Sequence, residues 1–372
     1  MSKLPDNLGQ QLEQRKSEGL YRQLPSDNSL IDFCSNDYLG FATSAKLKEI
    51  VNGHSTTTKS GSTGSRLITG NTAYTEELEK KTALYHKAEA ALIFNSGYDA
   101  NIGLISCIAQ KQDLILLDEL SHASIYDGIR LSFARHYKFR HNDIEHLRQL
   151  IDKTPEARNI FIVVESVYSM DGDCAPLKEI STLLKHNVFL IVDEAHATGV
   201  FGEGGRGLCN ETAIENNCFA RIITYGKAMG SHGAAIVGSA DLRNYLINYA
   251  RSFIYTTALP LKSLYAIEAA YDLLASSNAQ NELQKKINLF KHLTRGLNGL
   301  IESSSAIQCL ITEGNKATEE KAMALQKQGF HIKAIKSPTV PEGKERIRIC
   351  LHNYNTDEEI KRLAESLVSI EM

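Results

Sequence analysis

Five short runs of nearly uninterrupted apolar residues, each set off from the next by helical or turn-rich sequence, constrain this chain more than any other feature. They are AALIFNS (90–96), LILLD (114–118), NIFIVVES (159–166), VFLIVDEA (188–195) and ARIITYG (220–226). A strand with one wet face alternates apolar and polar residues. A strand that is apolar throughout is buried on both faces, as in a parallel sheet covered by helices on each side. The segments TAYTEELEKKTALYHK (72–87) and APLKEISTLLKH (175–186) have helical spacing. Alternating units of this kind, joined by right-handed crossovers, predict an α/β fold with a mostly parallel sheet.

After residue 260 the pattern changes. A long helical stretch (260–300) precedes SAIQCLIT (305–312), a helix over 317–329, FHIKAI (330–335), ERIRICLH (345–352) and a last helix over 356–370. This predicts a smaller α+β domain. The expected division is an N-terminal segment (1–45) packed on the small domain or across a dimer seam, a large domain (46–275) and a small domain (276–372). A chain of 372 residues is long enough for two cores.

Charge and cysteine usage narrow the function. A formal net charge of -3 argues against nucleic acid as the main partner, because duplex binding needs a basic face to displace counterions. The N-terminal stretch MSKLPDNLGQQLEQRKSEGL lacks the apolar core of a signal peptide, and no stretch approaches the roughly 18 apolar residues of a membrane span. The seven cysteines are scattered and form no C-x-x-C pair, so neither a disulfide framework nor a metal site is expected, and the setting read is a reducing cytoplasm.

In an open parallel sheet, ligands sit at the carboxyl ends of the strands. Asp193 and His196 follow one apolar run, Thr224 and Lys227 another, and Glu165 and Ser169 a third; Ser96, Gly97 and Tyr98 open a helix after the first run, and His122 follows LILLD. Each has a role in a pyridoxal phosphate site. Lys227 is the amine that forms an imine with the aldehyde. Asp193 keeps the pyridine nitrogen protonated, so that the ring accepts electrons from the substrate. His196 reaches the phenolic oxygen. Gly97 and Tyr98 offer backbone N–H groups to the phosphate at a helix N-terminus, where glycine allows close approach. His122 covers the ring face.

Taken singly, these residues have plainer readings. A lone lysine is usually a solvated surface residue, and an aspartate at a strand end is often only a helix cap. His86, His136, His141, His146 and His186 are read as structural, and GSTGSRLITGN (61–71) reads equally as a flexible loop. Order and spacing carry the case. A rival reading comes from IVDEAH (191–196), which matches the Walker B box of DEAH-type ATPases. That chemistry needs an upstream G-x-x-x-x-G-K-[ST] loop, and the only Gly-Lys pairs, Gly226-Lys227 and Gly343-Lys344, are followed by neither Ser nor Thr. A dinucleotide fold lacks its G-x-G-x-x-G after the first strand. A non-catalytic binding module would not require a lysine and an acid placed in this way.

The motifs SNDYLG (35–40), GSTGSRLITG (61–70), NSGYDAN (95–101), LSHASI (120–125), ESVYSMDGD (165–173), VDEAHATGVFGEGGRG (192–207), TYGKAMGSHGA (224–234), YTTALP (255–260) and SPTVPEG–RIRI (337–349) resemble the α-oxoamine synthase family over nearly the whole chain. The resemblance implies a fold-type I pyridoxal phosphate enzyme, homodimeric with shared active sites. It would condense an amino acid with an acyl-CoA or acyl-carrier-protein thioester and lose carbon dioxide. It assigns Lys227 to the Schiff base, with the freed lysine acting as base, and Asp193 to the pyridinium. Cofactor contacts fall to Ser169, Thr224 and His196, and the stacked position to His122. Thr256 or Thr257 is matched to the partner subunit's phosphate, Arg348 and Asn36 to the substrate carboxylate. Within the family, SPTVP with Thr339, together with Arg22, resembles members that join alanine to a pimeloyl thioester in biotin synthesis. Members that use glycine with acetyl-CoA, or serine with a fatty acyl thioester, share most other motifs. The stretch between Arg22 and SNDYLG is shorter than that pattern implies.

Overall fold

The computed structural model describes residues 4–24, 29–54 and 59–371, so the segment between Arg22 and SNDYLG lies partly outside the described residues. Its strands, in chain order, are β1 (Ile31–Asp32), β2 (Ala90–Phe94), β3 (Leu114–Asp118), β4 (Arg135–Phe139), β5 (Ile160–Glu165), β6 (Val188–Asp193), β7 (Cys218–Thr224), β8 (Ala234–Gly238), β9 (Ile307–Ile311), β10 (Phe330–His331), β11 (Lys333–Ile335) and β12 (Arg346–Cys350). Seven of them form the central sheet in the order β2-β8-β7-β6-β5-β3-β4. The uninterrupted apolar runs are explained by burial on both faces. In β5, Ile160, Ile162 and Val164 enter one core, while Phe161 and Val163 enter the other.

The sheet is parallel apart from β8, which runs antiparallel to both β2 and β7. Two strands escape the sequence pattern. β8, AAIVG, is short and sits directly behind a glycine-rich loop. β4, RHYKF, occupies the sheet edge and exposes four of its five residues, so it lacks the apolar signature. The helix expected over 175–186 is only Leu177–Ser181. Ser181 Oγ and Thr182 Oγ1 donate to the carbonyls of Lys178 and Glu179, which competes with continuation of the helix. The long stretch over 260–300 divides into Leu261–Ser276 and Ala279–Leu293.

The second sheet, β11-β12-β9, is antiparallel and packs with the helix Asn315–Lys327, while the helix Asp357–Glu371 packs on Ala279–Leu293. FHIKAI is not one strand: β10 leaves this sheet and pairs in parallel with β1, Ile31 opposite Phe330. The N-terminal segment is thereby tied to the C-terminal part of the chain. Lys336 Nζ donates to the carbonyl of Gly19 at 3.0 Å, which holds the segment bearing Arg22 near the SPTVP loop. No described helix is long and apolar enough to cross a membrane.

Candidate active site

The parallel strands β3, β5, β6 and β7, together with β2, point their carboxyl ends toward one cavity of about 280 Å³. Asp193 is the last residue of β6 and Glu165 the last of β5, and they stand side by side in the register. Thr224 ends β7, and three residues later the loop delivers Lys227. That loop is fixed by Gly230, whose φ is +57° and where a Cβ would lie 2.2 Å from the Ala42 backbone nitrogen; only glycine permits this approach. At the other wall, Ser96 caps the helix Gly97–Ile108 by accepting from Asp99 N at 3.0 Å. A Cβ on Gly97 would meet Thr224 Cγ2 at 2.7 Å, so the helix N-terminus touches the end of β7.

Glu165, Asp193 and His196 are buried and Lys227 is half-buried, and the amine is bonded into this polar group. Lys227 Nζ lies 2.8 Å from His196 Nε2, and His196 Nδ1 lies 2.7 Å from the Tyr38 hydroxyl. Asp193 Oδ1 accepts from Ala195 N at 2.9 Å, and Oδ2 accepts from Asn101 Nδ2 at 2.7 Å. Desolvation pulls the Lys227 amine down to about 8, against the opposing attraction of Asp193 and Glu165. Burial, reinforced by Asp193, pushes Glu165 up to about 8. Burial also drives His196 well below the usual histidine range, reinforced by Lys227, so its imidazole is neutral. Glu165 Oε1 accepts the backbone N–H of His122 at 2.5 Å. His122 Nδ1 accepts from Ser124 N at 3.2 Å, which leaves Nε2 to carry the ring proton.

A second cavity, about 580 Å³, shares the His122 wall. Leu120, Met170 and Val340 line it with Ser169, Arg22 and Thr339. Arg348 stands between the two sheets, with Nη2 donating to Asn36 Oδ1 at 3.0 Å and Nε to the Ser169 carbonyl at 2.7 Å.

Ser96, Gly97, Tyr98, His122, Glu165, Asp193, His196, Thr224 and Lys227 therefore share the inner cavity. Ser169, Arg22 and Thr339 belong to the outer one. Asn36 and Arg348 are joined to the inner site through Tyr38. Thr256 and Thr257 stand apart from the inner cavity: Thr256 Oγ1 and the Thr257 carbonyl accept from Asn95 Nδ2. Sequence reasoning missed Asn101 and Tyr38. Asn101 had a signal, being a lone amide one turn past Gly97 in an otherwise apolar helical stretch. The ATPase reading is corrected here. Glu194, the acid of its DEAH box, is fully buried away from the cavity, beside Arg221 at 3.6 Å and accepting from Cys209 N.

The residues of the inner cavity suit pyridoxal phosphate in size and chemistry. It has an amine at one wall, a carboxylate on the floor and, where a Cβ would close the space, a glycine at a helix N-terminus.

The sequence profile of the aminotransferase class I and II family matches residues 28–367, and the chain belongs to that family. An 8-amino-7-oxononanoate synthase from Emericella nidulans is 42% identical to it over 98% of this chain and 95% of the relative. The crystal structure of an 8-amino-7-oxononanoate synthase from Francisella tularensis is 30% identical, covers 92% of this chain and 98% of that one, and superposes with a TM-score of 0.80. A serine palmitoyltransferase variant from S. paucimobilis with a bound PLP–myriocin aldimine is 25% identical, covers 98% and 96%, and reaches 0.89. The resemblance read from the motifs leads to the same group of enzymes.

Proposed function

We propose that this chain condenses L-alanine with a pimeloyl thioester, with loss of carbon dioxide, to give 8-amino-7-oxononanoate. Its coarser description, a pyridoxal phosphate-dependent acyltransferase, follows from its family and named relatives. The observation that carries the finer reading is the pair of cavities meeting at His122, with Lys227 in one and Arg22 on the other.

When bound, pyridoxal phosphate supplies an aldehyde for the Lys227 amine and a protonated ring that withdraws electrons from the substrate's α-carbon. The residues do the rest. Asp193 would hold the proton at the ring nitrogen, and Asn101, donating to Oδ2, fixes that carboxylate in place. The N–H groups of Gly97 and Tyr98, at the helix N-terminus lining the cavity, would bind the phosphate. With its amine pulled down to about 8, Lys227 holds far more of its neutral form near neutral pH than an ordinary lysine, which is almost wholly charged there. It therefore takes and returns the α-proton. Glu165, protonated below about 8, leaves Asp193 as the principal negative charge on the floor. Arg348 and Asn36 receive the amino acid's carboxylate, for which a guanidinium fork is suited. Leu120, Met170 and Val340 cover the acyl chain, and Arg22 meets the carboxylate at its far end.

A second copy of the chain completes this reading. Tyr255, next to Thr256, is 72% exposed, and Leu67 and Ile68, on the loop whose Gly64 carbonyl accepts from Ala258 N, are 52% and 80% exposed. A homodimer would cover them and bring one of the two threonines to the partner's phosphate. The division at residues 45 and 275 and a cytoplasmic setting belong to the same proposal; the seven unpaired cysteines suit a reducing compartment.

The superposition on serine palmitoyltransferase favours a second reading, serine with a long acyl thioester. The two separate in one experiment. Alanine, glycine and serine are each offered with pimeloyl, acetyl and palmitoyl thioesters, and thiol release is followed. Alanine with the pimeloyl thioester is expected to be fastest. Faster turnover with serine and palmitoyl, or with glycine and acetyl, overturns the substrate assignment.

A further inference from the structure

Five side chains run in unbroken hydrogen-bond contact from the small sheet to the cavity lysine. Arg348 Nη2 is 3.0 Å from Asn36 Oδ1, Asn36 Oδ1 is 3.1 Å from the Tyr38 hydroxyl, that hydroxyl is 2.7 Å from His196 Nδ1, and His196 Nε2 is 2.8 Å from Lys227 Nζ. The direction of every bond in this chain is set by its first member. A guanidinium only donates, so the Asn36 atom facing it is the carbonyl oxygen and not the amide nitrogen. That oxygen has no proton to give, so Tyr38 must spend its single hydroxyl proton on Asn36. The Tyr38 oxygen is then left only as an acceptor toward His196.

We infer that Tyr38 is a positioning residue which, held by Asn36 and Arg348, fixes His196 in the Nδ1–H tautomer and turns the bare Nε2 toward Lys227. Lys227 consequently donates to His196, and when neutral it keeps its own lone pair directed elsewhere in the cavity. Two further facts give the tautomer a single answer. Tyr38 is 1% exposed, and burial holds its phenol far above the range in which it would ionise. His196 is 5% exposed and neutral, so one ring nitrogen and not both carries a proton. A role for Tyr38 confined to packing, against His352 at 6.5 Å between ring centroids, would place no condition on that proton. The importance of the amine's orientation rests on the function proposed above, but the bond polarity does not.

The test is a long-range 1H–15N spectrum of the full-length chain labelled with 15N-histidine, recorded without and with pyridoxal phosphate at a pH above about 8, where the Lys227 amine is largely neutral and can accept as well as donate. His196 is assigned by loss of its signals in His196→Asn. The expected cofactor-free wild-type spectrum shows a protonated Nδ1 and a bare Nε2. Tyr38→Phe removes the acceptor and is expected to move most of the population to Nε2–H. Asn36→Leu, which leaves the histidine's own neighbours intact, frees Tyr38 to donate to Nδ1 and is expected to produce the same reversal. A protonated Nε2 in the wild type overturns the inference. So does an unchanged tautomer in both variants when both are folded by circular dichroism. Neither result depends on which thioester the enzyme uses.

Discussion

The two cavities that meet at His122 are built in opposite ways. The inner one is floored by residues at the ends of parallel strands: Glu165, Asp193, His196 and Thr224 are 3%, 5%, 5% and 6% exposed. Sheet register and buried hydrogen bonds set their positions, and burial shifts the amine of Lys227 toward neutral pH. The outer one is walled by loops. Arg22 and Thr339 are exposed, and they come together because Lys336 ties the N-terminal segment to the loop after β11. The difference teaches where each property of such an enzyme resides. Reaction chemistry sits on rigid elements and is expensive to alter, whereas substrate choice sits on loops and is easily altered.

That contrast can be broken from the inside first. Asp193→Asn removes the charge that holds the ring proton, and turnover is expected to fall by on the order of 10²–10³ while the thioester KM stays nearly constant; steady-state kinetics decide this, and near-normal turnover contradicts it. Gly97→Ala places a methyl 2.7 Å from Thr224 Cγ2, and forcing the two apart is expected to weaken cofactor retention by about tenfold in equilibrium dialysis. Outside, Arg22→Ala is expected to raise the KM for pimeloyl thioester by only about threefold to fivefold, as befits a solvent-exposed charge, with cofactor binding untouched. A larger effect of Arg22 on cofactor retention than of Gly97 would erase the distinction.

The smallest expected effect concerns pH. The amine of Lys227 is lowered to about 8 from its ordinary value of 10.5, so its reactive neutral form is scarce below about 8 and predominates above it. The rate at which cofactor-free enzyme takes up pyridoxal phosphate is expected to rise through that pH and then level off. Glu165 favours the ammonium form. In Glu165→Gln the midpoint is therefore expected to move to lower pH, measured by stopped-flow absorbance.

The same contrast explains what could be read from the residues. β3, β5, β6 and β7 were legible because burial on both faces leaves almost no polar position inside them, the buried Arg221 of β7 being the exception. Asp193, Thr224 and Lys227 were legible because polar groups directly after such runs have few other reasons to be there. β4 was not legible, since an edge strand with four exposed residues has no periodic signal. Nor was β8, hidden behind glycines. Tyr38 lies 158 positions from His196, and nothing local in SNDYLG announces that contact. Arg22 and Thr339 came only from resemblance to known sequences, because a cavity assembled from loops has no pattern in any one of them.

The most direct test of the account is an absorbance titration of the purified full-length chain and of Lys227→Ala with pyridoxal phosphate. The account predicts a visible band, shifted from that of free cofactor, that saturates at one equivalent per wild-type chain and is missing in the variant even where dialysis shows that cofactor is held. A band of normal position and intensity in Lys227→Ala would contradict the assignment of the amine, and with it the chemistry assigned to the inner cavity.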